Sequence, residues 1–129
     1  MPGAKTKQPH YIYRTDGEPV VFAGLWDRWY PKNDDGDSDK TAEPVETFTI
    51  LTCAPNSTMA PIHNRMPVLL APSVWDSWLA DDAAQDFLLS LLIPAPDDLL
   101  TAHPVSTAVN RSTNNSPDLI SPDYESLGG

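Results

Sequence analysis

Apolar and polar residues alternate along this chain only over short stretches, and proline interrupts them too often for long helices. Pro9 to Arg14 reads Pro-His-Tyr-Ile-Tyr-Arg, an aromatic and β-branched run that predicts a strand. Asp16-Gly17 is a turn signal, and Val20 to Trp26 is a second apolar run of strand length. Two runs across a turn predict a hairpin, with a loop wider than the tightest type. Thr47 to Cys53 alternates polar with apolar and is rich in β-branched residues, the pattern of a half-buried strand. Ala54 to Pro61 carries turn chemistry, and Ile62 to Leu70 then reads as extended again.

At Ser73 the period changes. Val74, Trp75, Trp78 and Leu79 fall on one helical face, and Ser73 stands where an N-cap belongs. A second short helix is expected from Asp82 to Leu92, with Phe87, Leu88, Leu91 and Leu92 on one face and Pro94 at its end. Ala102 to Ser106 reads as an edge strand, because Pro104 cannot serve a central one. From Asn110 onward Ser, Asn, Pro and Gly dominate, which predicts loop. No internal repeat is visible. Trp75 and Trp78 read as core residues, whereas Trp26 and Trp29 are open to either a packing or a base-stacking reading. Asp27-Arg28 beside them reads as a surface pair.

Composition supports this picture and adds one constraint. The chain has 129 residues, 40% of them hydrophobic, enough for a single packed domain or a piece of one. Its 14 prolines are roughly twice the usual share and favour short strands joined by loops. The formal net charge of −10, with only eight Lys and Arg, argues against a nonspecific nucleic-acid binder, since phosphate contacts need cations. Contact with DNA would depend on a few placed cations. The chain contains neither an apolar run of bilayer length nor a secretory signal pattern, so a cytoplasmic protein without a membrane role is expected. Cys53, the single cysteine, cannot form an internal disulfide. The acidic stretch from Pro31 to Glu46 lacks the ligand spacing of a calcium loop and reads as solvated loop, and no metal is expected.

The candidate chemistry is sparse. His63 and Arg65 lie two apart in an expected strand, which would place both on one face. An imidazole with an ordinary pKa of about 6.5 exchanges protons near neutrality, and a guanidinium beside it can hold a phosphate or a polarised oxygen. A His-x-Arg pair is also common as plain strand solvation. Thr52 could lie beside His63 across an antiparallel pair, or be a threonine of ordinary strand propensity. Cys53 reads as a small buried apolar residue, since no neighbouring cation in the sequence lowers its pKa. His103 is a possible second base, or a histidine that bonds a neighbouring loop. Phosphate loops, Cys-x-x-Cys, nucleophile elbows and paired-histidine metal motifs are absent from the sequence.

The ordered set of segments says more than any one residue. Lys7-Gln8-Pro9-His10-Tyr11-Ile12, Phe22-Ala23-Gly24-Leu25-Trp26, Thr47 to Thr52, Pro61-Ile62-His63-Asn64-Arg65-Met66-Pro67 and His103-Pro104-Val105-Ser106 with Val109-Asn110 resemble the SOS response-associated peptidase (SRAP) family in order and spacing. Asn64 departs from the usual family form, where an Asp is common. The resemblance covers roughly Lys5 to Pro122 and implies an α+β fold: a β-rich, partly barrel-like mixed sheet with two short peripheral helices. It implies abasic-site processing in single-stranded DNA during the DNA damage response, by a peptidase- and lyase-like family that uses no cofactor. In that family an N-terminal cysteine attacks the ring-opened sugar aldehyde, its thiol and α-amine closing a stable thiazolidine cross-link, while a histidine exchanges protons with the sugar oxygen. His63 matches that histidine, Arg65 looks like the phosphate-contacting arginine, and Thr52 matches a threonine lining the pocket.

Residue 2 is Pro2 rather than cysteine, and the family's Asn-x-Arg and Gly-aromatic-aromatic-Glu-Trp segments would lie before Met1. The resemblance therefore implies a C-terminal half, with residues 1–122 as a partial SRAP domain and 123–129 as a flexible tail. Such a half should expose unpaired strand edges and need the missing N-terminal half as a partner. The competing expectation is a non-catalytic remnant acting as an interaction or weak DNA-binding module.

Overall fold

A computed structural model describes residues 7–124, and the features expected at Pro2, at Lys5 and along the tail beyond residue 124 lie outside them. The fold is α+β, with six short strands and two short helices among the described residues. The strands are β1 (His10–Arg14), β2 (Gly24–Trp29), β3 (Val45–Ile50), β4 (Thr52–Cys53), β5 (Met66–Pro67) and β6 (Leu100–Pro104). They form three antiparallel pairs, β1 with β6, β2 with β3 and β4 with β5.

This pairing corrects the expected hairpin between the first two runs. Gly17, with φ of 78°, makes the expected turn, and its amide donates to the Arg14 carbonyl at 2.9 Å. The chain leaving that turn does not fold back on β1. Instead Ala23 N donates to Val68 O at 2.8 Å, Leu70 N to Val21 O at 3.0 Å, and Leu51 N to Ala23 O at 3.0 Å. Ala23 and Val68 are both fully buried, so small side chains allow three backbone segments to meet closely. β1 finds its partner in β6, with Ile12 opposite Ala102, and Ile12 and Leu100 close on the core from that ladder.

The core holds Ala23, Cys53, Met59, Met66, Val68, Leu70, Ala95 and Leu100, with Met66 and Val68 the largest fully buried side chains. Trp75 and Trp78 pack against it as expected. Their indole N–H groups donate to Leu70 O at 2.8 Å and Gly24 O at 3.2 Å, so each ring is partly buried with its polar edge satisfied. Ser73 is not the expected N-cap. It lies inside a 3-10 helix, Pro72–Val74, where Pro72 takes the first helical position and its missing N–H costs nothing. α1 (Trp75–Leu79) follows directly, and α2 (Gln85–Ser90) begins three residues after Asp82. Of the apolar face expected on α2, Leu91 and Leu92 reach the core while Phe87 remains exposed.

The Thr47 to Cys53 run is two strands rather than one half-buried strand. It divides at Leu51 into the C-terminal part of β3 and all of β4, and every residue of β3 is exposed. The reason is geometric: β2 and β3 form a two-stranded ribbon that meets α1 at its Gly24 end, through Trp78, and projects away from the other named elements beyond it. Trp26 stands directly opposite Phe48, and they are 67% and 78% exposed. Arg28 bonds Glu46 across the ribbon at 3.1 Å and lies 5.6 Å over the Trp26 ring, so its salt-bridge partner is Glu46 and not the neighbouring Asp27. No helix among the described residues is long and apolar enough to cross a membrane.

Candidate nucleic-acid site

The segment carrying His63 is not the extended strand that alternation suggests. Only its second half is extended, with Met66 and Pro67 in β5 and Leu69 bridging Phe22, whereas His63 ends a turn in which Ile62 N and His63 N both donate to Met59 O, at 2.8 and 2.9 Å. Asn56, read from sequence as ordinary turn chemistry, builds this turn from inside. It is 6% exposed, its Oδ1 accepts from Met59 N at 2.9 Å, and its Nδ2 donates to Ala95 O at 3.1 Å. A buried amide with donors and acceptors paired acts as a rivet between distant segments. Two further bonds hold the same place: Ser57 N donates to Asp97 Oδ1 at 2.8 Å, and Thr58 Oγ1 to Asp97 O at 2.7 Å. The Ser57 amide holds the Asp97 carboxyl below its ordinary range. The bond to Met59 N is local and of the kind turn asparagines make, but the distant partner at Ala95 leaves no signal in the sequence around Asn56.

His63 and Arg65 are joined through backbone rather than by strand alternation. Arg65 N donates to His63 Nδ1 at 3.0 Å, and Arg65 O lies 3.1 Å from the same nitrogen. Across the β4–β5 ladder the Arg65 guanidinium closes on Thr52. Nη2 donates to Thr52 O at 2.9 Å and to Oγ1 at 3.0 Å, and Nε reaches Oγ1 at 3.3 Å. The Thr52 hydroxyl therefore meets the guanidinium, not the imidazole as expected. Nη1 of Arg65 and Nε2 of His63 have no hydrogen-bond partner among the described residues. All three side chains are exposed, so the constellation faces solvent.

Cys53 is the buried small residue expected. It is 8% exposed, burial pushes its thiol up, and the nearby Arg65 charge only partly offsets this. A thiol so placed is a poor nucleophile. His103 lies in the other ladder, on β6, where its Nε2 is 2.7 Å from Ile120 O and its ring contacts Tyr11 and Tyr13 at 5.5 and 5.7 Å between centroids. No hydrogen bond or ring contact joins it to His63. No group of three or more metal-ligating side chains occurs among the described residues.

The family model for SOS response associated peptidase (SRAP) matches residues 2–112. The chain belongs to the SRAP family. It is 38% identical over 118 residues to the abasic site processing protein YoaM of Bacillus subtilis, covering 91% of this chain and 48% of that protein. With the abasic site processing protein YedK of Escherichia coli it shares 31% identity over 120 residues, 90% of this chain and 49% of YedK. A crystal structure of a protein from Bacteroides thetaiotaomicron superposes with a TM-score of 0.74 at 30% identity, over 95% of this chain and 51% of that one. This SRAP chain thus spans about half the length of the relatives it matches. His63, Arg65 and Thr52 all fall inside the matched residues.

Proposed function

We propose that this SRAP chain supplies the proton-handling and phosphate-holding part of a site that processes abasic sites in single-stranded DNA. The observation that carries the reading is the joined set of His63, Arg65 and Thr52 on one exposed surface. His63 Nε2 is free to exchange a proton with a sugar oxygen. Arg65, anchored through Nη2 and Nε, keeps Nη1 for a phosphate oxygen of the DNA backbone. Thr52 holds the arginine from below. Relatives named as abasic site processing proteins support the substrate class. The cytosol or nucleoid of a bacterium suits such a substrate.

The nucleophile of the reaction comes from polypeptide outside the described residues, since Cys53 is buried with its thiol raised. We assign the β2–β3 ribbon as a contact surface for the remaining part of the domain, in line with the half coverage of the relatives and with the exposure of Trp26 and Phe48. Residues 1–122 then act as a partial domain and 123–129 as a tail.

The test is incubation with single-stranded DNA carrying an abasic site, followed by a denaturing gel. The expected result is no cross-link from this chain alone, and a cross-link once it is joined to an SRAP N-terminal half that begins with a catalytic cysteine. In the joined protein, His63→Gln should slow cross-linking by about 100-fold, the scale of a lost general acid–base. A cross-link from the chain alone that disappears in Cys53→Ala would overturn the assignment of the nucleophile.

A further inference from the structure

We propose that Thr52 is a positioning residue for His63, acting through Arg65 to set which nitrogen of the imidazole carries the proton. The inference rests on the reading of His63 as the proton handler and specifies how that residue is held ready.

Both hydrogen-bonding groups of the Arg65 backbone converge on one ring atom. Arg65 N, 3.0 Å from Nδ1, can only donate, so it supports a ring whose Nδ1 holds a lone pair and whose Nε2 carries the hydrogen. Arg65 O, 3.1 Å from Nδ1, can only accept, so it supports the ring with hydrogen on Nδ1 and a lone pair on Nε2. The second form accepts a proton at Nε2. The resulting imidazolium keeps Nδ1–H on the Arg65 carbonyl and returns the proton from Nε2, so the cycle balances without moving the ring. A neutral imidazole side chain in water favours hydrogen on Nε2, the form unable to accept there. The Arg65 carbonyl pulls toward the accepting form and the Arg65 amide against it, so the balance between them depends on how the Arg65 backbone is held.

That carbonyl lies in exposed chain between the turn and β5, and Met66 is the first strand residue after it. The side chain of the same residue ties it down, with contacts from Nη2 and Nε to the Thr52 hydroxyl and from Nη2 to the Thr52 carbonyl. Two of these three contacts end on Oγ1, so removing the hydroxyl frees most of the fork. The hydroxyl makes no bond to His63 itself, and any influence on the ring must travel through Arg65.

Long-range 1H–15N correlation spectra of the 15N-histidine-labelled chain, with the ring neutral, read the tautomer directly. Comparison with His63→Gln assigns the signals. In the wild-type chain Nδ1 of His63 should resonate between the positions of a bare and a protonated ring nitrogen. In Thr52→Val it should move toward the bare position, and in Thr52→Ser it should keep the wild-type value. Backbone amide spectra report whether the β4–β5 ladder survives. If valine disrupts the ladder, Arg65→Lys, which keeps the charge but cannot form the fork, should give the same movement. Unchanged His63 nitrogen shifts in a folded Thr52→Val or Arg65→Lys chain would overturn the proposal. Failure of the underlying reading is visible separately, as cross-linking by the joined protein that is indifferent to His63→Gln.

Discussion

Two residues outside the His63, Arg65 and Thr52 set give testable measures of how the fold is held. Asn56 pairs its amide with Met59 N and Ala95 O while almost wholly buried, and truncation would leave both backbone groups without a partner. Each unpaired buried group costs about 1 to 3 kcal/mol, so Asn56→Ala should lower stability by about 2 kcal/mol or more in urea unfolding. Histidine signals from residue 63 should broaden at the same time, because the turn that ends there hangs on that amide. Asp16 offers an electrostatic measurement. Arg14 donates to it through Nε at 2.9 Å and Nη2 at 2.6 Å, and this fork, with the Glu18 amide, lowers the Asp16 carboxyl from 3.8 to about 2. A depressed folded value means that the pair's contribution is complete above about pH 4 and is lost as pH falls from there toward 2. Carboxyl chemical shifts should titrate Asp16 near 2, and Arg14→Gln should return it toward 3.8. An Asp16 midpoint unaffected by the Arg14 substitution would contradict the paired geometry.

At the scale of elements, the β2–β3 ribbon separates what the sequence shows from what it conceals. Runs such as His10 to Arg14 and Thr47 to Ile50 are legible as strands because β-branched and aromatic residues alternate there. Partner choice is not legible, because a strand's backbone groups pair with any neighbour. The Asp16-Gly17 turn points to a local hairpin, yet β1 pairs ninety residues away with β6. Burial fails for a related reason. Alternation at Thr47-Phe48-Thr49-Ile50 announces an apolar face but not whether another layer covers it, and Phe48 is left 78% exposed. At the proposed site, His63, Arg65 and Thr52 are nominated by the ordered motifs. Their connection is not, since it depends on a turn fixed by Asn56 and on a guanidinium reaching across β4 and β5. The ribbon also yields a prediction. Trp26→Lys and Phe48→Lys remove only exposed cross-strand and cation–π contacts in this chain, so each should lower its stability by no more than about 1 kcal/mol. The same substitutions should abolish association with a separately expressed SRAP N-terminal half in size-exclusion chromatography. A large loss of stability in the chain alone would mean that the ribbon's apolar face is already buried.

For the whole molecule, the decisive quantity is how few cations are available for DNA. Eight basic residues face eighteen acidic ones. Arg14 and Arg28 are committed to Asp16 and Glu46, and Lys40 rests 4.3 Å over the Tyr30 ring. Lys7, Lys32, Arg65 and Arg111 are left among the described residues, and of these Arg65 has its side chain fixed in place with one nitrogen unused, beside the histidine that would act on the sugar. Its contribution to binding should be countable. Each phosphate neutralised on a single strand changes the slope of log K against log salt concentration by about 0.7. With a joined two-half protein and a single strand carrying a non-reactive abasic analogue, fluorescence anisotropy should give a slope smaller by about 0.7 for Arg65→Gln than for wild type. Arg65→Lys should retain the slope, because the charge remains, while losing the fork on Thr52. The two roles of this residue are thus separable: the charge is read in the salt slope, and the fork in the tautomer of His63. An Arg65→Gln slope equal to wild type would remove the phosphate role and leave Arg65 as a purely structural link between Thr52 and His63.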